Sequence, residues 1–318
     1  MFITMQSRAL GKGPPVDMVF ILIQQIVVML GMMAIGVALI KTKQINEKGV
    51  TQLSNIAMYV ATPAVVIQAF AIDYNKAQLI NGLWVALFFS LGLLISIIIA
   101  RLVCGRADRV GQYAVIFSNT GFVGIPIIQS LLGPEYVFYV TMTMAAGTFV
   151  MWTYGIYLIS GDASLISVKK IVTNPAVIAL VVGLVLFFAP VHLPAIVNQV
   201  LTGMANLNTG LAMIVLGANL GSSNIGLMIA DRRLYKVSVL RLIVVPALVL
   251  LTLFVMPCPF EIKMVVLISE ATPSGAATSM LAQMFGGDYQ YGTGLVIITT
   301  LLSMITMPLV LTFALQIL

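Results

Sequence analysis

The sequence SNTGFVGIPIIQ, residues 118–129, lies inside an apolar segment that is long enough to cross a lipid bilayer. It contains Gly121, Gly124 and Pro126 beside three polar residues. Proline has no amide hydrogen and its ring meets the carbonyl of Phe122, while glycine adds backbone freedom. Irregular backbone survives in hydrocarbon only where it is covered by protein or faces water. We therefore expect the helix to unwind here, with free carbonyl groups before the break and free N–H groups after it.

Composition places the chain in a membrane. Of its 318 residues, 60% are hydrophobic and 8% are charged, whereas about a quarter of a soluble domain is charged. Continuous apolar runs favour helices, because the strands of a membrane barrel alternate over segments of about ten residues. With roughly 20 apolar residues per span, we predict an all-α polytopic membrane protein with ten transmembrane helices, spans 1 to 10, near residues 18–40, 50–72, 78–103, 110–132, 135–159, 174–190, 194–220, 234–256, 262–285 and 291–317.

A second stretch, ISEATPSGAATSM at residues 268–280, resembles the opening one. In both, a polar doublet, Ser118-Asn119 or Ser269-Glu270, precedes a segment with glycine and proline. Each half then has five spans, an odd number, so the second half enters the membrane from the opposite side. Such inverted repeats recur in secondary transporters, whose sites lie where interrupted helices meet at the midplane. We predict two inverted five-helix repeats with broken, crossing spans 4 and 9, arranged as a tail (1–17), a first repeat (18–159), a cytoplasmic linker (160–173) and a second repeat (174–318).

The crossing predicts a substrate site. The helix that follows a break presents free N–H groups and a positive dipole end, which suit an anion. Asn119 has two roles open to it, since its amide either donates to a substrate carboxylate or caps the broken helix. The candidate substrate-binding residues are Asn119, Thr120, Gly121, Gly124, Pro126, Thr272, Pro273 and Ser274.

Glu270 is the one carboxylate that this topology places inside a span. Ionisable residues at that depth are rare and usually mark ion or proton pathways. We consider Glu270 as a Na⁺ ligand, in an ion-coupling site with Ser118 and Ser269, or as a proton carrier. Ion pairing with Lys263 or Arg241 is the structural alternative.

Spans 2 and 7 carry further polar residues and a pair of glycines. Hydrogen bonds between helices explain most such side chains, and a GxxxG pattern is a weak signal of close helix contact. The residues concerned are Asn55, Thr62 and Pro63 in span 2, and Asn206, Asn208, Thr209, Gly217, Asn219 and Gly221 in span 7.

Basic residues predict an orientation. Lysine and arginine concentrate in the loops after spans 1, 3, 5 and 7, for example at Lys41, Arg106, Lys169 and Arg232. The positive-inside rule places these loops in the cytoplasm, so both termini face outward from the cytoplasmic membrane. Basic residues scattered among short loops do not form a nucleic-acid-binding face.

Enzyme and metal signatures are missing from the sequence. Cys104 and Cys258 fall at opposite membrane faces in this topology, which leaves no disulfide or cysteine metal site. His192, the single histidine, lies in a remote loop, so a serine hydrolase has no base. We therefore expect neither an enzyme nor a cofactor.

The segment SNTGFVGIPIIQSLLG resembles the N-T-x-x-x-G-I-P signature of the auxin efflux carrier family, which includes plant exporters and bacterial permeases for malate or malonate. NPAVIALVVGL in span 6, GLAMIVLGANL in span 7 and ATPSG in span 9 extend the resemblance over most of the chain. The resemblance implies crossing of spans 4 and 9 at Pro126 and Pro273, with a carboxylate bound there and Asn119 matching the family's asparagine. It also implies a scaffold built from spans 1, 2, 6 and 7.

The chain departs from the plant members in two ways. It lacks their long central cytoplasmic loop, and Glu270 stands where they have apolar residues. An acidic residue there is similar to the sodium-coupled bile acid transporters.

We therefore predict a secondary transporter of small organic carboxylates that works by alternating access, with Na⁺ or H⁺ considered as the coupling ion. The expected partners are the substrate and the lipid bilayer, and a homodimer is also considered. The alternatives are a sodium-coupled bile-acid-like symporter, an anion channel and a non-transporting receptor. Saturable uptake with counterflow argues against a channel, and binding without uptake favours a receptor.

Overall fold

The computed structural model describes residues 15–167, 169, 172–189, 193–223 and 231–318. His192 and most of the predicted tail lie outside these described residues. Helices occur, in chain order, at α1 Pro15–Lys41, α2 Glu47–Ile56, α3 Thr62–Phe70, α4 Lys76–Cys104, α5 Arg109–Ile116, α6 Ile125–Leu131, α7 Val137–Val150, α8 Ile156–Ser160, α9 Pro175–Phe188, α10 Ala195–Ser222, α11 Arg232–Val239, α12 Val245–Leu253, α13 Phe260–Ala271, α14 Ala277–Met284 and α15 Tyr289–Ile317.

Six of the helices begin after an asparagine or aspartate that caps them. The side-chain oxygen of each such residue accepts a hydrogen bond from an N–H group of the first turn, which would otherwise lack a partner. The residues that cap α2, α4, α5, α9, α11 and α15 in this way are Asn46, Asn75, Asp108, Asn174, Asp231 and Asp288.

Within the described ranges, seven helical segments are long and apolar enough to cross a membrane. Two shorter apolar helices, Thr120–Leu131 and Pro175–Phe188, accompany them. The protein is therefore a multi-pass membrane protein, and the regular elements of its described residues are helices. The long segments are Phe20–Lys41, Glu47–Phe70, Lys76–Cys104, Pro134–Ser160, Ala195–Ser222, Arg232–Leu253 and Tyr289–Ile317.

π turns precede three of the prolines that lie in apolar helices. Pro63, Pro126 and Pro246 each lie two residues beyond the end of a π turn, Ala57–Ala61, Thr120–Gly124 and Leu240–Val244 respectively. In such a turn an N–H group bonds the carbonyl five residues back, as Ile125 does to Thr120. The next residue is the proline, which lacks an N–H group, so the helix continues and one carbonyl is left free.

The prediction that Pro126 unwinds the backbone around Gly121 and Gly124 is therefore wrong. Residues 120–131 are helical, first as the π turn and then as α6. The interruption of this span lies upstream, at residues 117–119.

Helices α1, α2, α3, α9 and α10 pack mainly on one another, and α1 and α10 approach most closely. A Cβ atom on Gly217 would overlap the backbone of Met33, and one on Gly36 would overlap the backbone of Ile214. The predicted close helix contact at Gly217 and Gly221 is thus confirmed. The other helices pack around the two interrupted segments, α5–α6 and α13–α14.

Candidate functional site

Two backbone breaks interrupt apolar helical segments. The first break, residues 117–119, separates α5 from the π turn that leads into α6, and Phe117 is extended. The second break, residues 272–276, separates α13 from α14, and Thr272 is extended. Buried extended backbone needs hydrogen-bond partners from elsewhere in the protein.

The breaks supply these partners to each other. The N–H group of Asn119 donates to the carbonyl of Pro273 at 2.8 Å, and that of Gly275 donates to the carbonyl of Phe117 at 2.9 Å. The two breaks therefore meet and run antiparallel, with the spacing of a short β-bridge.

Ser118 and Ser274 are the residues that face each other across this bridge. The pairing differs from the sequence comparison, which matched Ser118-Asn119 with Ser269-Glu270. That doublet lies in the last turn of α13, before the second break. The bridge thus pairs Ser118 with a residue five positions after Ser269.

Arg241, from the π turn between α11 and α12, reaches the carbonyl ends of both α5 and α13. Its guanidinium donates to the carbonyls of Val115 (3.0 Å), Thr272 (3.0 Å) and Glu270 (2.7 Å). It also pairs with the Glu270 carboxylate, Nη1 to Oε2 at 3.3 Å. Both side chains are fully buried.

Hydroxyl groups satisfy the carbonyl that Pro273 leaves without a helical partner. Because proline lacks an N–H group, the carbonyl of Ser269 has no bond from four residues on. It accepts from the hydroxyl of Thr272 at 2.9 Å and from that of Thr120, in the other half, at 3.3 Å. The hydroxyl of Ser118 lies 2.9 Å from that of Thr120.

Ser274 ties the second break to two further helices. Its hydroxyl donates to the carbonyl of Ala114 in α5 at 2.8 Å, and its N–H group donates to the hydroxyl of Thr299 in α15 at 3.1 Å. The carbonyls of Ala114, Val115, Ser269, Glu270 and Thr272 thus all accept from side chains of the protein.

By contrast, several N–H groups after the breaks lack a hydrogen-bond acceptor in the described part of the protein. We call these the open N–H groups. Among the described residues, no protein group accepts a hydrogen bond from the N–H of Thr120, Gly121 or Phe122 after the first break, or of Ala276 or Ala277 after the second. All of these except Thr120 are partly exposed. Helix N-termini with free N–H groups favour an anion.

Asn119 stands beside these open groups. The residue is 7% exposed, and its buried amide nitrogen Nδ2 has no hydrogen-bond partner. Its side chain makes no hydrogen bond to the first turn of the helix that follows, so Asn119 does not cap that helix. An unpaired buried donor costs about 1–3 kcal/mol, and an acceptor from a ligand removes that cost.

Glu270 forms the ion pair with Arg241, whereas the other partner considered, Lys263, is not the one found. Its second oxygen, Oε1, has no partner. The Na⁺ or proton role of Glu270 stays a prediction, as does that of Ser118 and Ser269. The sequence named Arg241 only as a partner of Glu270, and its contacts to three carbonyls were missed.

Gly124 and Pro126 were expected at the interruption of the helix, but both lie in the helical segment after it. A Cβ atom on Gly124 would lie 3.2 Å from Thr120 and 3.4 Å from Thr272, so this glycine lets the π turn pack on the second break. Pro126 is buried in α6, away from the break.

Asn208 of α10 binds the carbonyl that Pro126 leaves free. In the π pattern the Gly121 carbonyl would accept from the N–H group of residue 126, but proline has no such group. Asn208 Nδ2 donates to this carbonyl instead, at 3.3 Å. Asn208 Oδ1 accepts from the hydroxyl of Thr62 at 2.9 Å. The predicted role of Thr62 and Asn208 in hydrogen bonds between helices is confirmed.

Asn208→Ala is therefore expected to cost about 1–3 kcal/mol of stability, because it leaves the Gly121 carbonyl unpaired. Pro126→Ala supplies an N–H group for that carbonyl. In the Pro126→Ala background, the cost of Asn208→Ala should fall by about 1 kcal/mol. Equilibrium unfolding of the four proteins in detergent measures this coupling.

Pro246→Ala is the matched control, since Pro246 also follows a π turn but lies in another helix. It should leave the cost of Asn208→Ala unchanged. Equal costs of Asn208→Ala in the wild-type and Pro126→Ala backgrounds would refute this account of the Gly121 carbonyl.

A family model described as membrane transport protein matches residues 21–311. A search of curated proteins finds no match. The match includes every residue of the two breaks and covers most of the chain. The chain therefore belongs to this family of membrane transporters, which includes the auxin efflux carriers and related permeases.

Proposed function

We propose that the protein is a secondary transporter of small organic carboxylates, with the substrate bound where the two breaks meet. The observation that supports this most is an asymmetry in backbone hydrogen bonding. The carbonyls of Val115, Glu270 and Thr272 accept hydrogen bonds from Arg241. The N–H groups of Gly121, Phe122, Ala276 and Ala277, by contrast, have no acceptor among the described residues. A group with acceptor oxygens and negative charge matches the open side.

Asn119 adds a side-chain donor to the open backbone groups. A carboxylate has two oxygens and accepts several hydrogen bonds at once. Bonds to a charged acceptor are stronger than bonds between neutral groups. Asn119 Nδ2, together with the N–H groups of Gly121 and Phe122, offers such a set of donors.

We further propose that ten segments cross the bilayer as two inverted repeats. The seven long apolar helices, the shorter α9 and the interrupted segments α5–α6 and α13–α14 supply that number. An odd number of segments per repeat is consistent with antiparallel pairing of the two breaks. In this arrangement both termini face outward, on the side of the membrane opposite the cytoplasm.

Transport by this arrangement needs one group of helices to move against another. We propose that α1, α2, α3, α9 and α10 form the scaffold, since they pack mainly on one another. The breaks belong to the other group, so the substrate site moves with it. Hydrogen bonds between the two groups include Asn208 to the Gly121 carbonyl and Ser130 to Gln25.

The test is a thermal-shift panel on the purified full chain with malate, malonate and indole-3-acetate, each in choline chloride and in sodium chloride. A ligand that binds only the folded state raises the midpoint of unfolding. We expect at least one carboxylate to raise the midpoint, and the corresponding amide to leave it unchanged. Uptake of that carboxylate into proteoliposomes should saturate and show counterflow.

Asn119→Ala should weaken the affinity for that carboxylate about tenfold or more, because a hydrogen bond to a charged group contributes about 1.5–3 kcal/mol. Asn206→Ala is the matched control, since Asn206 is an exposed asparagine in α10. If no carboxylate shifts the midpoint, or if Asn119→Ala binds as the wild type does, the proposed site is wrong.

A further inference from the structure

We propose that Arg241 is a resident cation of the crossing, and that it takes the place of a coupling Na⁺ at the carbonyl ends of α5 and α13. The inference rests on the proposed function, because it states how that same site is coupled. Arg241 thereby acts in ion selectivity, a role that the carboxylate site alone does not require.

The oxygen atoms at the carbonyl ends of α5 and α13 form the kind of set that binds a hard cation. Backbone carbonyls and a carboxylate are typical ligands of such ions in proteins. In broken membrane helices, the exposed carbonyl ends are where a coupling cation is held. Here these atoms are the carbonyls of Val115, Glu270 and Thr272 and the Glu270 carboxylate.

Each of these oxygens already has Arg241 as its partner. The donor distances run from 2.7 Å, to the Glu270 carbonyl, to 3.3 Å, to its carboxylate. A guanidinium has five N–H donors in a fixed plane and keeps its charge at all accessible pH values. One side chain thus neutralises Glu270 and satisfies the carbonyl ends of two helices from opposite halves of the chain.

A Na⁺ ion beside Glu270 would lie within a few ångströms of this fixed positive charge. Like charges repel strongly where the surroundings have a low dielectric constant, and both side chains are fully buried. The remaining oxygen, Oε1, lies against Gly92 of α4, where an added Cβ atom would be only 2.7 Å from it. The side chains around Glu270 therefore favour the guanidinium and disfavour a second cation.

The experiment uses Na⁺ itself as the probe, on the purified full chain without any carboxylate. Unfolding midpoints are measured while NaCl replaces choline chloride at constant ionic strength. The wild-type midpoint should be the same in both salts. In Arg241→Gln, the vacated carbonyls and Glu270 should accept Na⁺, so that NaCl raises the midpoint in a saturable manner by about 3 °C or more.

Arg101→Gln is the matched control, since Arg101 is an exposed arginine in the last turn of α4. It should show no difference between the salts. A residue that only stabilised the fold would lower the midpoint of Arg241→Gln equally in both salts, and that result would overturn the proposal.

The wild-type titration decides the question even if Arg241→Gln does not fold. A saturable rise of the wild-type midpoint with NaCl would show that the protein holds Na⁺ beside Arg241 or elsewhere, and would overturn the inference. A flat titration, with carboxylate binding equal in choline and sodium, supports it. Failure of the proposed function looks different, because no carboxylate would then bind in either salt.

Discussion

Glu270→Ala is expected to lower the free energy of unfolding by about 3–5 kcal/mol, because it leaves the buried charge of Arg241 without a counter-ion. The two side chains are fully buried and 3.3 Å apart, so neither solvent nor salt screens the loss. The carbonyls that Arg241 also binds are neutral and do not replace the carboxylate. Equilibrium unfolding in detergent, against the wild type, measures the change.

Two further variants show whether charge or shape is responsible. Glu270→Gln keeps an oxygen that accepts from Arg241 but removes the negative charge. Its free energy of unfolding should therefore lie between those of the wild type and Glu270→Ala. Glu47→Ala makes the same substitution at an exposed position in the first turn of α2 and should cost little. Equal effects of Glu270→Ala and Glu47→Ala would mean that the buried ion pair contributes nothing measurable.

Gly275→Leu should abolish carboxylate uptake and lower stability by about 1–3 kcal/mol or more, because it places a side chain between the two breaks. A Cβ atom at this position would lie 3.3 Å from the carbonyl oxygen of Ser118 and 3.5 Å from that of Phe117. The atoms beyond Cβ have to push the breaks apart. The bond from Gly275 N–H to Phe117 then lengthens, and so does the bond that holds Asn119 in place.

Gly210→Leu is the control for this substitution. Gly210 lies in α10, and a Cβ atom there meets nothing within 4 Å. Its midpoint and its carboxylate uptake should match those of the wild type. If Gly275→Leu retains both uptake and stability, the close approach of the two breaks is not needed for either.

The sequence predicted the broad architecture because its signals are local. Apolar length predicted the spans, and glycine, proline and polar residues predicted that two of them are interrupted. The exact place of the first interruption could not be read in this way. Pro126 marks a π turn that keeps the helix intact, and the break at residues 117–119 depends on a partner strand far along the chain.

The candidate site was predicted in part for a similar reason. Asn119, Thr120 and Ser274 were named from their type and position, and the structure brings them to the crossing. The contacts of Arg241 and Asn208 depend on which carbonyls are left free, and that follows from three-dimensional pairing. An arginine inside the apolar run LRLIVVP was the one available signal for the first of them.

The antiparallel bridge between Phe117–Asn119 and Pro273–Gly275 has a consequence for the order of assembly. As the chain is synthesised, the first interrupted segment enters the membrane long before residue 275 exists. The extended backbone of residues 117–119 then has no hydrogen-bond partner in the protein, and hydrocarbon cannot supply one. Until residues 273–275 are synthesised, the backbone of residues 117–119 therefore needs hydrogen bonds from water or from the translocation machinery. The hydrogen bonds between the two breaks form only after that.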